Sequence, residues 1–188
     1  PGLDSFALWC ALAAEYPPDA PEWQEGLHSA MTAAKSTELA GETLFYKWLQ
    51  WICDEQLESA QRAALSAGME IGIVHDLAVG VHPGGADAWT LRDVMAPEVS
   101  VGAPPDMFNQ IGQDWSQPPW DPDRLAESGY GAYRDMLRTI LRHAGGVRVD
   151  HILGLFRHWW IPRGQEPGLG AYVYYDHEAL VGILALEA

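Results

Sequence analysis

Positive charge is scarce in this sequence: 11 Lys and Arg stand against 26 Asp and Glu in 188 residues, a formal net charge of −15. Phosphate backbones and anionic bilayers are bound by clustered Lys and Arg. The sequence has no such cluster, so neither nucleic acid nor a membrane surface is expected as a partner. Cysteine is scarce too. Cys10 and Cys53 are too few for a disulfide framework and form no C-x-x-C pair, which speaks against a zinc or redox site. No apolar run approaches the roughly 18 residues of a membrane-spanning helix. The start, PGLDSFALWC, lacks the basic opening of a secretory signal. A reduced, cytoplasmic setting is expected. Also missing are a G-x-S-x-G nucleophile turn, a phosphate-loop glycine pattern, and any H-x-H or H-x-x-x-H pair. Serine hydrolysis, a metal site and a cofactor are therefore not expected.

What is present is a globular composition, with 48% hydrophobic and 20% charged residues, enough to build a core. Nine Trp and seven Tyr stand out. Flat apolar rings serve both cores and sugar-binding clefts.

The first 68 residues carry a helical period. Asp4 or Ser5 can cap a helix with Phe6, Trp9, Cys10 and Ala13 on one face. Pro17, Pro18 and Pro21 break it. Phe45, Trp48, Leu49 and Ile52 start a second stripe that runs through Leu57, Ala60 and Ala64 to Gly68, a C-terminal cap. At Glu70 the period changes. Residues 71–77 form a short apolar run ending in charge, as in a buried parallel strand with a functional tip. A Gly- and Pro-rich stretch over 80–121, with Trp89, Phe108, Trp115 and Trp120 in it, reads as a long functional loop. Asp121 caps a helix over 122–144, and residues 147–151 form a second charged-tip strand. Runs at Trp159-Trp160-Ile161 and Tyr172–Tyr175 precede a last helix capped by Asp176. This βαβα order predicts an α/β protein with parallel strands.

Arg148 and Asp150 lie two apart on one predicted strand and share a face. A buried Asp beside a guanidinium stays ionised, the state a carboxylate nucleophile needs. The same spacing also suits a plain internal ion pair. Asp76 occupies the matching tip of the earlier strand, where it could face a sugar or cap the next loop. The C-terminal ends of parallel strands are where α/β sites assemble. Trp159 and Trp160 suit a core, whereas Trp115 and Trp120, among polar loop residues, suit stacking on a sugar.

Four stretches carry a resemblance: 45–81 (FYKWLQWICDEQLESAQRAALSAGMEIGIVHDLAVGV), GADAW at 85–89, VGAPPDMFNQIGQDWSQPPW at 101–120 and GGVRVDHILGLFRHWWIP at 145–162. Together they resemble the 4-α-glucanotransferases, or amylomaltases, of the α-amylase clan. The resemblance implies part of a (β/α)₈ TIM barrel, about its strands 3 and 4 at 71–76 and 146–150. It implies a helical insert subdomain over 1–66, and over 67–188 a partial catalytic barrel that includes the acceptor-side loop 80–121. It implies Asp150 as nucleophile with Arg148 as its support, His151 and Asp76 as sugar contacts, and Asp106, Gln113 and Trp115 in a lid over the acceptor side. The implied substrates are α-1,4-glucans and maltooligosaccharides. His75 stands where the family commonly has Gly, and Met107 where it often has Tyr. The family's E-D-L-G run, which holds the general acid/base Glu, and its later H-D run are absent from these residues, so activity of the 188 residues alone is not expected. The alternative is a non-catalytic glucan-binding module.

Overall fold

The computed structural model describes residues 2–17 and 35–188. The breaks expected at Pro18 and Pro21 lie outside the described residues. The chain divides into two compact units, Pro1–Ser59 and Ala60–Ala188.

In the first unit, α1 spans Leu3–Glu15. Neither Asp4 nor Ser5 caps it. Gly2 holds the cap position in a left-handed conformation, and Asp4 lies in the first turn, ion-paired with Lys47. The buried stripe is also rotated from the expected Phe6, Trp9, Cys10 and Ala13. Ala7, Ala11 and Leu12 are buried, whereas Phe6, Trp9, Cys10 and Ala13 are only partly so. Helix α2, Ala40–Ser66, begins in this unit and ends in the second. Gly68 terminates it with φ +90°, as its position predicts. No residue of α2 is buried, and Leu44, Phe45, Trp48 and Trp51 are each at least half exposed.

In the second unit the first strand starts later than the apolar run does. Gln61, on α2, accepts from the Ile73 N–H at 2.6 Å and donates to the Ile71 carbonyl at 3.1 Å. A side chain thus takes the backbone groups that a neighbouring strand would otherwise use. Strand β1 is consequently Val74–Leu77 and not 71–76. It pairs in parallel with a strand at Gly146–Val149, with Asp76 opposite Arg148 and Leu77 opposite Val149. Successive side chains alternate across the pair. His75 points to the helical side, where its Nδ1–H donates to the Ile140 carbonyl at 2.7 Å, and Asp76 points to the other.

The stretch 80–121 is not a loop. It contains α3 (Ala86–Thr90), a single 3₁₀ turn (Arg92–Val94), β2 (Val99–Ala103) and β3 (Gln113–Gln117). The strand at Gly146–Val149 is β4. The Trp-rich and Tyr-rich runs form β5 (Arg157–Pro162) and β6 (Ala171–Tyr174). These build a second, antiparallel sheet in the order β3-β2-β5-β6. The single helix expected over 122–144 is two: α4 (Pro122–Glu127), capped by Asp121 as predicted, and α5 (Gly131–Leu141). Gly129 and Tyr130, both with positive φ, break the chain between them. The last helix, α6, spans His177–Glu187, and the Asp176 side chain caps it.

Leu125, Tyr133, Leu137, Leu155, Tyr175 and Leu180 form the core of this unit, with Leu77, Trp120 and Trp160 packed against them. The core thus joins α4, α5 and α6 to the tips of both sheets. Each fully buried leucine contributes roughly 2 kcal/mol from the apolar area it removes from water.

Candidate active site

The parallel pair β1–β4 ends in three charges. Arg148 donates through one nitrogen to Asp76 Oδ1 at 2.6 Å and through another to Asp150 Oδ1 at 3.0 Å. Strand register brings Asp76 and Arg148 together, and the Asp150 N–H, donating to the Leu77 carbonyl at 3.0 Å, holds the nucleophile candidate at the tip. The carboxylates push the guanidinium pKa above its ordinary value, first through the Asp76 hydrogen bond and then through both negative charges. The trio is not buried as the pairing of Arg with Asp suggests. The side chains are 62%, 61% and 46% exposed for Asp76, Arg148 and Asp150. Their face of the strand pair is open, because the helices pack on the other.

Beyond Asp150 the backbone turns sharply. His151 takes a left-handed conformation, φ 49° and ψ 60°, and starts the 3₁₀ turn Ile152–Leu155. Its imidazole lies near-perpendicular to the Trp115 ring, at 5.0 Å between centroids. The Trp115 indole N–H donates to Gln113 Oε1 at 3.1 Å. Asp76, Arg148, Asp150, His151, Trp115 and Gln113 therefore form one linked series across both sheets. Asp106 stands apart from it. Its Oδ1 accepts from the Phe108 and Asn109 N–H groups, so its contacts are those of its own turn between β2 and β3. Trp120, read from sequence as a stacking ring, instead packs on the core, and its carbonyl accepts from the Tyr175 hydroxyl at 2.7 Å.

Beneath the tip lies a cavity of about 320 Å³, lined mainly by apolar residues, with Asp87, Asp150, His151 and His158 contributing polar groups. His158 is 6% exposed, and its Nδ1 is buried with no hydrogen-bond partner. Burial first, and then the charge of His151, lower its pKa to about 4. Sequence reasoning gave this residue no role. The available signal was a lone polar ring inside the otherwise apolar HWWIP run. Gln61 was missed because a strand end satisfied by a distant side chain leaves no local pattern. Among the described residues no group of three or more His, Cys, Asp or Glu could hold a metal ion. None of the described helices is long and apolar enough to cross a membrane.

The Asp–Arg–Asp cluster thus sits at the C-terminal ends of parallel strands, where α/β sites assemble, with an aromatic pair beside it. The family model for 4-alpha-glucanotransferase matches residues 1–188, and the chain belongs to that family. Among curated relatives, a 4-alpha-glucanotransferase of Mycobacterium tuberculosis (strain ATCC 25618 / H37Rv) is 58% identical over 99% of this chain and 26% of its own length. One from Haemophilus influenzae is 41% identical over 89% of this chain and 24% of its own length. The crystal structure of amylomaltase from Corynebacterium glutamicum superposes with a TM-score of 0.87 at 57% identity, covering 100% of this chain and 25% of that one. An amylomaltase from Streptococcus agalactiae, solved with acarbose, gives a TM-score of 0.86 at 19% identity over 98% of this chain and 39% of its own, a likeness of fold. The chain spans about a quarter of the length of the curated relatives it matches.

Proposed function

We propose that this chain supplies the nucleophile side of the active site in a retaining 4-α-glucanotransferase. In this reading β1 and β4 are neighbouring strands of a (β/α)₈ barrel whose other strands lie outside these residues. The observation that carries it is the Arg148 guanidinium bridging Asp76 and Asp150 at adjacent parallel strand ends. Membership of the family, and the acarbose complex of a structural neighbour, support an α-1,4-glucan substrate.

The Asp150 carboxylate, held by a hydrogen bond from Arg148, attacks the anomeric carbon of the donor glucan. The C1–O4 bond breaks, and the departing O4 takes a proton from a general acid. No residue here matches the family's acid, so we place it outside residues 1–188. The resulting glycosyl–Asp150 ester is opened by the O4 hydroxyl of an acceptor sugar. The acceptor's proton passes to the same group, now a base, and the configuration at C1 is retained. Asp76 and His151 hold the donor ring. Trp115 and Gln113, with Asp106 shaping the β2–β3 turn, hold the acceptor and keep water from the ester, favouring transfer over hydrolysis. No cofactor takes part.

The test is disproportionation of maltotriose by the full-length protein carrying this chain. The reading predicts glucose and longer glucans, loss of both on Asp150→Ala, and no transfer by residues 1–188 alone. A glucan-binding module would show no turnover to lose, and Asp150→Ala would leave its binding unchanged. Transfer that survives Asp150→Ala would overturn the assignment of the nucleophile.

A further inference from the structure

The left-handed turn at His151 needs an explanation. A non-glycine residue in that region costs about 1–3 kcal/mol and persists only where its surroundings hold it. Three contacts hold this one. The Gly154 N–H donates to the His151 carbonyl at 2.8 Å, closing the 3₁₀ turn. Trp115 lies near-perpendicular to the His151 ring at 5.0 Å. His158 lies against it at 5.9 Å with the planes 66° apart, and its own ring is backed by Tyr175 at 5.5 Å. Tyr175 is in turn fixed, its hydroxyl donating to Trp120 and its N–H to Phe156.

The fit around His158 is tight on the turn side. A Cβ at Gly154 would collide with His158 Nε2, and the two other nearest atoms to it also belong to that ring. The backbone at Gly154 does not have positive φ, so any residue could adopt it. Glycine is required there because of the His158 ring and not because of the backbone. A histidine with a buried, unpartnered Nδ1 is also a costly filler: an unsatisfied buried group is worth about 1–3 kcal/mol against the fold. Stability alone does not account for it.

We propose that His158 is a positioning residue: its ring, wedged between Tyr175 and Gly154 and set edge-on to His151, fixes the left-handed turn that aims Asp150 at the donor sugar. This rests on Asp150 being the nucleophile. His158 itself does not touch the reacting atoms. It sets the angle at which the Asp150–His151 pair leaves β4, and a misplacement of about 1 Å costs roughly 10²-fold in rate.

The experiment is a set of variants in the full-length protein: Gly154→Ala, His158→Ala, the double variant, and His158→Phe as the ring-preserving control. Turnover of maltotriose is measured alongside the thermal midpoint and the burst of glycosyl-enzyme formed from maltotriosyl fluoride. Gly154→Ala is expected to lower kcat and the burst rate by roughly 10- to 100-fold with KM changed less than about threefold. His158→Ala is expected to act in the same direction, and His158→Phe to retain most of the rate. The decisive term is non-additivity: with His158 truncated, the added methyl at Gly154 has room, so the double variant is no slower than His158→Ala alone. Should His158→Ala fail to fold, Gly154→Ala compared with Gly154→Ala/His158→Phe carries the test, because both keep the collision and both must be slow. Unchanged kcat in a folded Gly154→Ala protein, or strictly additive losses in the double variant, would overturn the inference. If instead Asp150→Asn retains turnover, the nucleophile assignment fails, and that outcome is read independently of the His158 set.

Discussion

The two sheets of the second unit treat their polar groups in opposite ways. At the tip of the parallel pair, Asp76, Arg148 and Asp150 are largely exposed, and the guanidinium bonds both carboxylates. In the antiparallel sheet, His158 is buried, with its Nδ1 unpartnered and its pKa lowered to about 4. The first is a set of mutually satisfied charges open to a substrate. The second is a neutral ring held inside the protein at a cost. In the proposed reading, chemistry resides in the open group and geometry is set by the closed one.

The largest expected effect breaks the open group. Arg148→Met leaves Asp76 and Asp150 facing each other without the cation, so it should lower kcat by roughly 10²–10³-fold, the range for losing one fixed charge-stabilising donor. Affinity for maltotriose should change far less. A steady-state rate of glycosyl-enzyme formation equal to wild type would show that the bridge does not activate the nucleophile.

The closed group is tested by pH. With the folded pKa of His158 near 4 and the free value 6.5, the unfolded chain binds the proton first as pH falls. Stability is then highest above about pH 6.5 and is lost between 6.5 and 4, by roughly 3 kcal/mol in all. The groups facing His158 are His151 and Tyr175, with Asp87 and Asp150 lining the same cavity. Denaturant titrations at pH 7 and pH 4.5 should show this loss in the wild type and a smaller one in His158→Phe. Equal acid losses in the two would mean that the ring is already protonated or solvated at neutral pH.

The smallest expected effect lies where the sheets meet at Trp115. Trp115→Ala removes the ring at His151, a contact worth about 0.5–1.5 kcal/mol. A loss of up to about tenfold in transfer, with a rising share of free glucose from hydrolysis, is expected. A product ratio identical to wild type would leave Trp115 with a packing role only.

The contrast also governs how much was legible beforehand. The parallel pair could be read directly: short apolar runs closed by charge at Asp76 and Asp150, with Arg148 and Asp150 on one face. Only its start was misplaced, because Gln61 satisfies Ile71 and Ile73 from a helix ten residues away. The antiparallel sheet could not be read. β2 pairs with β5 across the whole α4–α5–β4 segment, the β2–β3 ladder shifts register between Val101 and Gly102, and Ser116 has positive φ inside β3. Each pairing depends on residues far apart in the chain or on local irregularity, neither of which a short-range period shows. The candidate residues divide in the same way: the tip trio named from the sequence is brought together in the structure, whereas His158 depends on packing against Gly154 that no spacing rule reveals.

The central claim is that Asp150 forms the covalent intermediate. Its most direct measurement is acid quench of the full-length protein during turnover of maltotriosyl fluoride, followed by peptide mapping by mass spectrometry. The account predicts a maltotriosyl ester on the peptide containing Val147-Arg148-Val149-Asp150-His151, absent in Asp150→Asn. An adduct on a different carboxylate, or full turnover with a demonstrated inversion at C1, would contradict it.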